Sequence, residues 1–190
     1  AVSCSIRVGE WDWAAALLEE WLANETSVAL YLELYVDRAV LSTLRGDDPE
    51  RDLVEAEGMV DAIADPQYAS YCHWGRAWAA LTDSRLADAR LEGVMAADAT
   101  GYFGPISLPL AARAALWDGD AAAASEIVAR LQGFANRAQA VRLDVSALRA
   151  GLAALDGRRV EAIAGYREAL RGWQNLGLAF DEAMTALDLA

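Results

Sequence analysis

Lysine is absent from this chain. All sixteen basic residues are arginine, and against twenty-nine Asp and Glu they leave a formal charge of −13. A surface of that sign repels nucleic acid and anionic lipid at long range, so neither is expected as a partner. Histidine occurs once, at His73, and cysteine twice, at Cys4 and Cys72. So few ligands make no spaced metal set and no disulfide framework, and they suit a reducing cytosol. Long apolar runs are missing as well. None reaches the roughly 18 residues that a membrane span requires. The longest uncharged run, residues 99–112, is interrupted by Gly101, Gly104, Pro105 and Pro109. No glycine follows a strand pattern, which excludes Walker and dinucleotide-binding motifs.

What is present is apolar residue at helical spacing. Hydrophobic residues make up 55% of 190 and charged ones 24%, enough to bury a core and too apolar for disorder. In "ALDGRRVEAIAGYREALRGWQNLG", Gly157 precedes the stripe Val160, Ala162, Ile163, Tyr166, Ala169 and Leu170. The phrase recurs as Gly119 with Ala124, Ile127, Val128 and Leu131, and as Thr82 with Ala87, Leu91 and Val94. It recurs again as Gly9 with Ala14, Leu18 and Trp21, and more weakly after Gly46. The turn positions 9, 46, 82, 119 and 157 lie 37, 36, 37 and 38 residues apart. A period held over the whole chain predicts a helical-repeat array in which each interval contains two helices. The second helix of each interval is expected near 28–45, 67–81, 106–117, 137–155 and 178–190.

Punctuation agrees. Gly46, Gly119 and Gly157 stand where a helix C-terminus takes a left-handed residue. Asp47, Asp83 and Asp120 can accept from the free N–H groups of the next helix. Pro49, Pro66 and Pro105 fall at helix starts, where a missing N–H costs little. The predicted fold is all-α, a right-handed solenoid of about five antiparallel helix pairs in a single domain, 1–190.

At these residues the chain resembles the tetratricopeptide (TPR) family. Tyr71, Trp74, Gly75, Trp78 and Ala87 fall on five of that family's signature positions. The segment "YREALRGWQNLGLAFDEAMTALDLA" is similar to the repeat regions of large bacterial regulators, the MalT-like ATPase transcription factors and nucleotide cyclases with repeat tails. The period of ~37 departs from the 34 usual in the family, and Arg51 replaces the alanine expected after Gly46. The resemblance implies a concave groove lined by one helix of each pair, a cytoplasmic scaffold and no reaction. Phe180, Ala183, Met184 and Leu187 on the last helix have no partner helix after them, so the chain is expected to be a fragment of a longer array with open ends.

Candidates for chemistry are few. His73 and Cys72 are neighbours on one helix and point about 100° apart, which argues against a dyad. The carboxylates fall on polar helix faces and turns. No cofactor, metal or catalytic residue is expected, and the chain is not expected to be an enzyme. Two patterns suggest a binding groove instead. Trp74 and Trp78, and likewise Tyr31 and Tyr35, stand four apart and can form an aromatic wall. Arg38, Arg76, Arg113 and Arg149 recur at 38, 37 and 36 residues and would form a cationic column if they shared a face. The expected partner is a protein or peptide, a neighbouring domain of the same chain or a small effector. The alternative is a structural array that self-associates through its open ends and has no ligand groove.

Overall fold

The computed structural model describes residues 2–24, 27–136 and 138–190. Among them are eleven α-helices and no strand. These are α1 (Val2–Val8), α2 (Trp11–Asn24), α3 (Val28–Arg45), α4 (Glu50–Ile63), α5 (Pro66–Thr82) and α6 (Leu86–Ala99). They continue as α7 (Gly104–Trp117), α8 (Ala121–Gln132), α9 (Gln139–Leu155), α10 (Arg159–Leu176) and α11 (Ala179–Leu189). The helix expected over 137–155 begins at Gln139; its expected first residue, Arg137, lies outside the described residues.

One turn geometry ends α1, α3, α5, α7 and α9. A residue with positive φ follows each: Gly9 (91°), Gly46 (84°), Ser84 (59°), Gly119 (76°) and Gly157 (74°). In every case the next N–H reaches back five residues, as in Asp47 N to Ser42 O at 2.9 Å and Arg158 N to Ala153 O at 2.8 Å. This is the Schellman closure, which satisfies carbonyls that a helix end leaves free. Asp120 then opens α8 by accepting from Ala123 N at 3.0 Å, and Asp65 opens α5 by accepting from Gln67 N at 2.9 Å, with Pro66 in the first turn.

The third turn differs from the sequence expectation. Thr82 is still helical and Ser84 takes the left-handed backbone, two residues later. The stripe that follows slips by the same two residues: Ala87 and Leu91 are exposed, while Ala89, Gly93, Ala96 and Ala97 are buried. With Ser84 as the anchor, the alanine five places after the turn is Ala14, Ala89, Ala124 or Ala162, each buried. Val160 also leaves its predicted stripe, at 86% exposure.

Each helix packs on the next, and α3, α5, α7 and α9 also pack on one another in series. Close approach uses missing side chains. A Cβ on Gly75 would come within 2.9 Å of Leu53 Cδ2 and 3.0 Å of Val36 Cγ1, so α5 sits directly against α3 and α4 there. The last helix overturns part of one expectation. Helix α11 packs on α1, α9 and α10, although Ala183 and Leu187 of its apolar face stay exposed. Phe180 and Met184 join the main core, with Phe180 against Trp11 and Trp78 at ring separations of 6.1 and 5.5 Å. The expected open ends therefore meet: α1 and α11 are neighbours.

Candidate functional site, an aromatic cavity beneath the last helix

The odd-numbered helices converge on a cavity of ≈ 130 Å³. Its wall begins with Tyr71, Trp74 and Trp78 on α5, spaced three and four residues apart and so on one helix face. Tyr71 stacks on Trp74 with centroids 5.5 Å apart and planes within 8°. Helix α7 adds Pro105, Ile106, Pro109, Leu110 and Arg113, and α3 adds Val40 and Leu44. Pro109 has no N–H, so the carbonyl of Pro105 lacks its ordinary donor four residues on. Phe180, Asp181 and Met184 of α11 form the roof, with Ser3, Ile6 and Arg7 of α1 beside them.

Charge enters in a defined order. Arg7 donates through Nε and Nη2 to Asp181 at 2.9 and 2.8 Å. Arg113 donates through Nε to both oxygens of Asp188 at 3.1 and 3.0 Å, and the Trp117 indole N–H donates to Asp188 at 2.9 Å. The Arg113 and Asp188 side chains are only 8% and 6% exposed. Close to Asp181 on the same face of α11, Thr185 Oγ1 accepts from the Trp173 indole N–H, 3.0 Å away in the interior. Helix α11 is thus seated by two ion pairs, two indole bonds and two apolar side chains.

A third carboxylate has no such match. Asp144 of α9 lines the cavity, and no ion pair or side-chain hydrogen bond joins it to another described residue. Burial pushes its acid up to about 7, the charges of Asp181 and Asp188 add to the rise, and Arg113 and Arg7 pull against it from a distance. Trp78 is 8% exposed, and its indole N–H is buried without a partner among the described residues.

A second hollow of ≈ 220 Å³ adjoins the first and shares Ser3, Tyr71 and Ile106 with it. Next to the two shared residues Ser3 and Tyr71, Asp37, buried on α3, accepts from Tyr71 Oη at 2.5 Å and Ser3 Oγ at 3.0 Å. Burial raises the acid of Asp37, and the two donors oppose that rise. Burial and the nearby Asp37 also raise Glu33.

The cavity gathers three of the residues singled out in the sequence: Trp74, Trp78 and Arg113. The others lie elsewhere. Tyr31 and Tyr35 stack on each other at 6.2 Å, with the Arg38 guanidinium 5.3 Å over Tyr35. Arg38 binds Asp52 at 2.7 and 2.8 Å and reaches Glu19 at 3.2 Å. Arg76 clamps Glu50 and Glu57 of α4, and Arg149 donates to Gln132 of α8 at 2.8 Å. The four arginines therefore do not form one column. Arg38, Arg76 and Arg149 each stand eight residues before their left-handed turn residue, and all three face an even-numbered helix; Arg113 stands six before its own and faces α11.

Sequence reasoning missed Arg7, Asp144, Phe180, Asp181, Met184 and Asp188. A usable signal existed: counted back from the true turn residues, Val40, Trp78 and Arg113 share one repeat position, and Tyr71, Ile106 and Asp144 share another. His73 Nδ1 lies 2.7 Å from Glu92, and burial pushes the Cys72 thiol up to about 12, leaving it inert. Among the described residues no three potential ligands come together to hold a metal ion. Among the described residues no helix is long and apolar enough to cross a membrane. No protein-family model, curated protein or solved structure matches the chain.

Proposed function

We propose that the chain is a non-catalytic interaction scaffold, a solenoid of helix pairs whose inner groove holds an acidic amphipathic helix. The observation that carries this reading is the seating of α11. Its apolar Phe180 and Met184 enter the aromatic wall while Asp181 and Asp188 reach Arg7 and Arg113. That is helix-in-groove recognition, with apolar anchors at i and i+4 and charge pairs fixing the register. In this reading α11 occupies the groove within the chain, and a partner helix of the same chemistry replaces it. The resemblance to repeat regions of multidomain regulators suits such a role, since exchange of α11 would alter what an attached domain meets.

The test is binding of a labelled peptide of residues 178–190, followed by fluorescence anisotropy. The chain carrying Asp181→Asn and Asp188→Asn should bind it at least tenfold more tightly than the parent, because its own helix then competes less well. Equal affinity for both, or none for either, contradicts the proposal.

A second reading, self-association without a ligand groove, draws on α2. Trp13 and Trp21 lie eight residues apart on it and are 52% and 40% exposed. Sedimentation that shows a concentration-dependent dimer lost in the Trp13→Glu, Trp21→Glu chain would favour that reading.

A further inference from the structure

We propose that the cavity beneath α11 is a binding site for a small organic cation, a one-ring amine carrying a hydrogen-bond acceptor, with Asp144 as its counter-ion. Four observations converge on it. The first is size. The cavity measures ≈ 130 Å³, and an enclosed apolar cavity of about 150 Å³ accepts benzene. The second is the wall: Tyr71, Trp74, Trp78 and Phe180 present aromatic surface of the kind that attracts an ammonium group.

The third is the charge balance. Arg7 and Arg113 are each bound by an aspartate of α11, so the guanidiniums are matched and cannot recruit a carboxylate without unseating the helix. Asp144 is the unmatched charge. A cation placed against it completes a neutral set of three carboxylates and three positive groups. The fourth is an orphan donor. The buried Trp78 N–H has no partner, and a buried donor left unmade is costly, so a ligand acceptor there would relieve it.

Proton competition follows. The groups facing Asp144 are Arg7 from α1, Arg113 from α7 and Asp181 and Asp188 from α11, with Tyr166 of α10 near Arg113 and Asp188. Asp144 is protonated below about 7 and ionised above it. A cation therefore binds more tightly as pH rises. The inference needs α11 seated, because Phe180 and Met184 form the roof, but it does not require that α11 exchange with a partner.

Calorimetric titration of the intact chain with three probes of one shape tests it: tyramine, its uncharged counterpart 4-ethylphenol, and anionic 3-(4-hydroxyphenyl)propionate. At pH 8 tyramine should bind one to one, at least roughly tenfold more tightly than 4-ethylphenol, with no binding of the anion. Lowering the pH to 6 should weaken tyramine by about tenfold and leave 4-ethylphenol unchanged. Asp144→Asn should reduce tyramine to the 4-ethylphenol level and abolish the pH dependence, with its fold checked by circular dichroism. Trp78→Phe should weaken both phenols. No saturable heat from tyramine up to about 10 mM, equal binding of the anion, or an Asp144→Asn chain that binds tyramine like the parent overturns the proposal.

Discussion

Asp144 and Gly75 show how much single positions carry. Asp144 lines the cavity without a matching donor, and its acid is raised from 3.8 to about 7. A raised acid means that the folded chain holds the proton more tightly than the unfolded one, so this group's stabilisation is present at low pH. It is lost as pH climbs from the unfolded value, about 4, through the folded one. Asp144→Asn should thus leave the denaturant midpoint unchanged near pH 4 and raise it progressively to pH 7 and beyond. The gain is a few kcal/mol at most, since each tenfold difference in proton affinity between folded and unfolded chain is worth about 1.4 kcal/mol. Urea titrations of both chains across that range check the sign; an asparagine chain that loses stability at pH 8 contradicts it. Gly75 depends on space. With Leu53 and Val36 already within 3.0 Å of where its Cβ would be, Gly75→Leu should cost about 1–3 kcal/mol by overpacking. An unchanged midpoint would remove Gly75 from the contact between α3, α4 and α5.

Among the elements, α11 matters most. Its two ion pairs differ in burial: Arg7–Asp181 is 35% and 17% exposed, Arg113–Asp188 only 8% and 6%. Removing one partner of a buried pair leaves the other charge stranded, at a cost of about 3–5 kcal/mol. Asp188→Asn should therefore destabilise the chain far more than Asp88→Asn, whose exposed bridge to Arg85 is worth under about 1 kcal/mol. Equal melting temperatures for the two variants would mean that α11 is not held as described. The helices themselves were legible in the sequence, since Gly46, Gly119 and Gly157 mark turns by a conformation that other residues rarely adopt. The third turn was hidden because Ser84 takes that conformation without being glycine. The two-residue error it introduced rotates a helix face by about 200°, which moved Ala87 and Leu91 from the expected core to the surface and hid the difference between Arg113 and Arg76. The turns at Gly46, Gly119 and Gly157 already set Arg113 apart from Arg38 and Arg149.

At the scale of the molecule, the periodic pattern foretold which helices exist and that neighbours pack, but not that the chain's two ends would meet. That contact joins Arg7 to Asp181, which lie 174 residues apart, and no local rule connects such positions. The cavity was only partly legible for the same reason. Trp74 and Trp78 announce an aromatic face, whereas the cavity needs Asp144, Phe180 and Met184 brought over it by long-range folding. The central claim is that α11 lies in the inner groove and can be exchanged there. Electron spin resonance distances test it most directly, with one label on the exposed Cys4 of α1 and another introduced at the exposed Leu187 by Leu187→Cys. One short, narrow distance is expected in the free chain, and a second, longer population that grows as the 178–190 peptide is added. A broad distribution without peptide, or a short distance that no amount of peptide alters, would contradict it.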